Sequence, residues 1–167
     1  WEAAAKKARE AGQPEPPQPK EAFPRPANPG NVGATSSLFN GMNNPLIPFA
    51  IKGVVWYQGE SNSNNGKEYG ILFPAMIKDW REKWGQGDFP FLFVQIASYG
   101  VTTSDPTRGK WALLRDGQSK ALALPNTAMA LAIDVGDKKD IHPKNKTPVA
   151  QRLALAAKHI AYGQDVV

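Results

Sequence analysis

The strongest constraint in this sequence is a threefold alternation of period. Three short runs rich in β-branched and aromatic residues, Ile51 to Tyr57, Phe89 to Ala97 and Thr127 to Ile133, are each followed by a longer stretch. In the longer stretches, 67–84, 111–124 and 148–162, the apolar residues recur at helical spacing. Short apolar runs suit strands covered on both faces, and a 3.6-residue period suits helices that bury one side. Strand, helix, strand, helix, strand, helix implies parallel strands joined by crossovers, so the fold class is α/β with a layered sheet.

The residues before these elements read differently. WEAAAKKAREA is rich in helix formers, and Gly12 and Pro14 stop the pattern. Gln13 to Pro29 holds seven prolines and almost no aliphatic residue, so it is expected to be an extended linker or insertion. The expected organisation is an N-terminal helix with a Pro-rich linker or insertion over 1–36, then the α/β domain over 37–167.

Composition removes several function classes. Lys and Arg exceed Asp and Glu, 20 against 15, but they are scattered, and no basic stripe is interleaved with aromatics as nucleic-acid binding would require. With no cysteine there is no disulfide, zinc-thiolate site or Cys nucleophile. No apolar run reaches the roughly 18 residues of a membrane span, and nothing at the N-terminus reads as a signal peptide. Neither GxxxxGK[ST] nor a strand-linked GxGxxG occurs, and the two histidines lack metal-ligand spacing, so no cofactor and no metal are expected.

In parallel sheets, ligands gather where loops leave the carboxyl ends of the strands. Two polar loops stand at such positions: Gln58 to Asn62 after the first strand, and DVGDKKDIHP, residues 134–143, after the third. They are expected to converge on one edge. In the second loop His142 is the candidate general base, and Asp140, two residues earlier, is the carboxylate to orient it. In the first loop Glu60 is a second acidic candidate, Gln58 a candidate amide donor to an oxyanion, and Gly59 a point of close backbone approach. Asn40-Gly41 offers similar donors or an ordinary turn. Glu60 and Asp140 would also serve a two-carboxylate glycosidase, and Trp56, Tyr57 and Trp111 are stacking candidates for a sugar-binding module. His159, near the end of the last helix, is read as structural or solvated.

Four segments closely resemble the sialate O-acetylesterase family, carbohydrate esterases of the SGNH-hydrolase superfamily. They are SLFNGMNNPLIPFAIKGVVWYQGESN, YGILFPAMIKDWREKWGQGDFPFLFVQIA, WALLRDGQSKALALPNTAMALAIDVGD and DIHPKNKTPVAQRLALAAKHIAYG, and together they run from about Ser37 to Gly163. The resemblance implies a three-layer, flavodoxin-like α/β/α sandwich acting without metal on acetylated sugars, and it favours a secreted or periplasmic setting. It implies Ser-His-Asp/Glu chemistry in which His142 matches the base and Asp140 its partner. Glu60 matches a second acid or an active-site wall, while Gln58, Asn40 and Gly41 match the lining of the oxyanion hole.

The family's nucleophile sits in a GQSN-type block ahead of the QGE motif, and no such block precedes Gln58-Gly59-Glu60 here. The triplet Gly117-Gln118-Ser119 falls within a helical pattern, so Ser119 lacks the strand-to-turn setting of a nucleophile. The expectation is that this chain is the C-terminal part of the esterase domain and that its sheet has an open edge. The serine would then come from a separate or missing N-terminal chain, a partner of this one. A non-catalytic carbohydrate-binding fragment of the same fold is the alternative.

Overall fold

A computed structural model describes residues 2–14, 36–100, 105 and 109–166. The Pro-rich stretch lies, from residue 15 on, outside the described residues. Contacts within the chain separate two units, Trp1–Leu46 and Ile47–Val167. The first unit carries helix α1 (Glu2–Glu10) and a π-helical turn over Phe39–Asn43.

The second unit holds the expected alternation. Strands β1 (Val54–Trp56), β2 (Phe91–Gln95) and β3 (Thr127–Leu131) form a parallel sheet in the order β1-β2-β3. Helix α2 (Gly66–Trp84) joins the first pair and α3 (Lys110–Ser119) the second, while α4 (Thr147–Ile160) follows β3. The alternation of β2 packs helices on both faces of the sheet. Phe91 and Phe93 pack with Tyr69, Phe73 and Ile77 of α2 and Leu114 of α3. Val94, next after Phe93 and so turned to the opposite face, packs with Ala97, Ala132 and Val149 of α4. Every residue of Phe91–Val94 is buried, as expected of a central parallel strand.

Glycine sets the distance between α2 and α3. A Cβ on Gly117 would overlap the Gly66 carbonyl oxygen and lie 3.1 Å from the Gly70 nitrogen, so the helices touch backbone to backbone. Pro74 lies inside α2, near its middle.

At the opposite end from the polar loops, Arg81 ties the elements together. Its guanidinium donates through Nη2 to the carbonyls of Phe89 and Pro125, each at 2.8 Å, and through Nε to Phe89 at 3.2 Å. Burial pushes its pKa down, against the pull of the Asp88 carboxylate at 3.4 Å. Truncating it leaves two carbonyls without their donor, each costing about 1–3 kcal/mol. Arg81→Ala is therefore expected to lower stability by about 2–4 kcal/mol in urea unfolding. Lys83→Ala, which breaks only an exposed 3.8 Å pair with Asp79, should change it by less than about 0.5 kcal/mol.

Candidate active site

The two polar loops do meet. Tyr57, Glu60 and Ser61 from beyond β1, and Ile141, His142, Pro143 and Lys146 from the loop before α4, line one open cleft of about 460 Å³. Parallel strands require this, because their carboxyl ends emerge on the same side.

The loop after β3 is built from short carboxylate-backbone bonds. The Asp137 carboxylate accepts the N–H groups of Lys139, at 2.7 Å, and Asp140, at 3.3 Å. These bonds, the Lys139 one foremost, hold its pKa below the usual carboxylate range. Asp140 repeats the device, its Oδ1 accepting the His142 N–H at 2.9 Å and lying 3.7 Å from His142 Nδ1. One carboxylate thus fixes the backbone of His142 and stands beside its ring. The imidazole is 86% exposed, so either ring nitrogen is open to a substrate or to another protein segment.

Two clamps hold this loop to the scaffold. The Asp134 carboxylate takes both terminal nitrogens of Arg152 at 2.7 Å each, and its pKa is lowered chiefly by that hydrogen-bonded pair. Ser98 Oγ donates to the Ile133 carbonyl at 2.8 Å, and Tyr99 bridges to Asp137. Gly136 passes so close to Ser98 that a Cβ there would overlap its carbonyl and hydroxyl oxygens and come within 2.6 Å of its nitrogen.

The loop after β1 is organised by buried polar groups. Gln118 is fully buried. Its Oε1 accepts the Ile96 N–H at 3.0 Å, and its Nε2 donates to the carbonyls of Val94, at 3.1 Å, and Gln58, at 3.2 Å. It therefore ties the carboxyl ends of β1 and β2 to α3. Tyr69 donates to Gln58 Oε1 at 3.1 Å, and Gln58 Nε2 donates to Asn62 Oδ1 at 2.8 Å. The Tyr69 hydroxyl has its pKa raised, mainly by burial, with the Glu60 charge adding to the effect. Gly59 is buried, and a Cβ there would lie 3.0 Å from Ile96 and 3.1 Å from Gln118 Nε2.

The sequence-derived candidates divide accordingly. His142 and Glu60 line the cleft, and Asp140 stands behind His142. Gln58 and Gly59 lie beneath, with the Gln58 carboxamide engaged by Tyr69 and Asn62 and absent from the lining. Asn40 and Gly41 belong to the other unit, both exposed on the π-helical turn. Ser119 is in α3 and donates to the Asp116 carbonyl of its own helix at 2.6 Å. Of the aromatic candidates only Tyr57 reaches the cleft. Trp56 stacks on Phe73 inside the core, and Trp111 donates to the Ala97 carbonyl at 2.6 Å with its ring against Tyr99. His159 lies exposed near the end of α4, its Nδ1 3.3 Å from the Gln164 carbonyl.

Sequence reasoning missed the roles of Gln118 and Tyr69. Their signal was faint, since a glutamine in a helix is ordinarily a surface residue. Among the described residues no group of three His, Asp or Glu converges as metal ligands, and no helix is long and apolar enough to cross a membrane.

Comparison with known proteins places this geometry. The chain is 42% identical over 145 residues to the sialate O-acetylesterases of mouse and human, a match that takes in 77% of this chain. That match covers 27% of the mouse protein and 28% of the human one, so the chain spans under a third of their length. The crystal structure of a carbohydrate acetylesterase from Xanthomonas citri superposes with a TM-score of 0.69 at 50% identity, covering 74% of this chain and 29% of that one. The model of a family described as carbohydrate esterase, sialic acid-specific acetylesterase, matches residues 36–160. By that match, over a parallel α/β sheet with His142 at its edge, the chain belongs to the sialic acid-specific acetylesterase family of carbohydrate esterases.

Proposed function

We propose that this chain is the histidine-bearing part of a carbohydrate O-acetylesterase of the SGNH type, in which the serine nucleophile comes from a segment outside it. The observation that carries the reading is the cleft itself, where the His142 loop faces Glu60 across the carboxyl edge of the sheet. In the reaction the serine Oγ attacks the acetyl carbonyl while His142 takes its proton, with Asp140 orienting the ring and balancing its charge. The imidazolium then protonates the departing sugar oxygen. Water, deprotonated by the same histidine, cleaves the acetyl-serine to acetate. The Gln58 amide, held by Tyr69, and backbone donors near Gly59 would steady the oxyanion. The substrate is an acetyl ester on sialic acid or another acetylated sugar.

The sheet supports a separate source for the serine. Among the described residues β1 pairs only with β2, so its outer edge is free, and Val55 on it is 63% exposed. Parallel strands with helix-covered faces seldom leave an apolar residue so open. A further parallel strand on that edge would send its own carboxyl-end loop, and a serine on it, to the cleft. A purely sugar-binding role is less well supported, since Trp56 and Trp111 are committed to packing.

The purified chain should therefore release acetate from 4-nitrophenyl acetate and from O-acetylated sialate no faster than buffer, and coexpression with a serine-bearing segment should restore turnover. If the chain alone is active and Ser61→Ala removes that activity, the nucleophile is Ser61 in this cleft and the complementation reading is wrong.

A further inference from the structure

We propose that Lys146, seated on the ring of Tyr57, is the anchor for the carboxylate of a sugar acid in this cleft. The inference rests on the reading above that the cleft receives a sugar. Lys146 Nζ lies 4.6 Å from the centroid of the Tyr57 ring and 3.4 Å from its hydroxyl, joining residues 89 positions apart. An ammonium over an aromatic face gives up part of its freedom before any ligand arrives, which lowers the entropy cost of using it. No ion pair to a carboxylate within 4.0 Å is formed by Lys146 among the described residues, although Glu60 lines the same cleft. Its charge is held in place and left for a ligand.

The other lining groups narrow the class of that ligand. Glu60 shares the cleft, so a polyanion such as a phosphate ester would meet a repelling carboxylate. A body with one carboxylate and several hydroxyls suits both groups, the carboxylate on Lys146 and a hydroxyl donating to Glu60. The cleft, at about 460 Å³, falls in the range that takes a ligand of monosaccharide size. Lys138, Lys139 and Lys144 add a diffuse positive field around the loop, but they lie outside the lining. Sialates and uronates share the required chemistry.

Binding without hydrolysis tests this independently of the esterase reading. N-acetylneuraminate, glucuronate and their methyl esters would be titrated by NMR into the wild-type chain and the variants Lys146→Met, Lys146→Arg and Lys138→Met. At least one free acid should bind roughly tenfold more tightly than its ester, the pattern of a charge contact worth a tenfold ratio. Lys146→Met should erase the ratio, Lys146→Arg should restore most of it, and Lys138→Met should leave it nearly intact. Preference for one acid identifies the source as sialate or uronate. Equal binding of acid and ester to the wild type, or a ratio that survives Lys146→Met, overturns the proposal. A chain that keeps the ratio but supports no acetyl hydrolysis even when complemented would sink the esterase reading and leave this one standing.

Discussion

Replacing His142 by alanine in the serine-complemented esterase is expected to lower kcat for acetyl esters by about 10⁴-fold or more, the scale on which loss of the base disables a triad. The fold should not suffer. The imidazole is 86% exposed and, apart from Asp140, is packed against nothing that a smaller side chain would leave open, so stability should move by less than about 0.5 kcal/mol. That separation makes the variant informative, because a lost activity cannot then be blamed on unfolding. Asp140→Asn should cost less than His142→Ala. The carboxylate is 43% exposed and spends one contact on the His142 backbone N–H, which an asparagine oxygen can also accept. Glu60→Gln should cost less again, because no hydrogen bond joins Glu60 to His142 among the described residues. If Glu60→Gln lowers kcat more than Asp140→Asn, Glu60 is the orienting acid and Asp140 is the structural one. Steady-state kinetics with an O-acetylated sugar, beside a urea melt of each variant, decides among these outcomes.

The elements were legible in the sequence to different depths, for identifiable reasons. The three strands and three following helices could be read from period alone, because the strands are short apolar runs, the central one buried throughout Phe91–Val94, and the helices repeat their apolar residues at 3.6-residue spacing. Their ends could not. The run Ile51 to Tyr57 gives a strand only over Val54–Trp56, since Ile51 is held instead by the Gln86 side chain, which accepts its N–H at 3.0 Å and donates to its carbonyl at 3.2 Å. The stretch Trp111 to Leu124 is α-helical only to Ser119 and then tightens into a 3-10 turn over Lys120–Ala123. Thr127 Oγ1 closes that turn by donating to the carbonyls of Ala121 and Leu124.

The site was legible as two loops on one edge, because parallel topology fixes where carboxyl ends lie. The parts that hold those loops in place were not legible. Gln118 stood beside Ser119 in a triplet that resembled a nucleophile motif, yet the serine bonds its own helix while the glutamine secures the ends of two strands. Lys146 and Tyr57 meet across 89 residues, a contact that no local pattern announces.

Gly136 carries the second large effect. Gly136→Ala is expected to destabilise the chain by about 2–3 kcal/mol and to lower kcat/KM of the complemented enzyme by about 10²-fold. The added methyl would have to occupy space held by Ser98, overlapping its carbonyl and hydroxyl oxygens and crowding its nitrogen at 2.6 Å. Two of those three atoms are backbone in the loop beyond β2, so Ser98→Gly should relieve only the hydroxyl overlap and should not rescue the variant. Neither chain can yield cheaply. Ser98 is tied to Ile133, Tyr99 bridges to Asp137, and Asp134 is clamped by Arg152 on the other side of the glycine. Strain at residue 136 must then pass into the turn that Asp137 caps, and through it to Asp140 and His142. A shift of about 1 Å in a reacting group is enough for the kinetic loss. Gly41→Ala, where a Cβ meets nothing within 4 Å, provides the steric control and should leave the unfolding midpoint where it is. The decisive readout is the His142 ring itself. Its NMR resonances should move in Gly136→Ala even under conditions where the variant is fully folded, and unchanged resonances with unchanged stability would show that the loop is not braced against Ser98 as described.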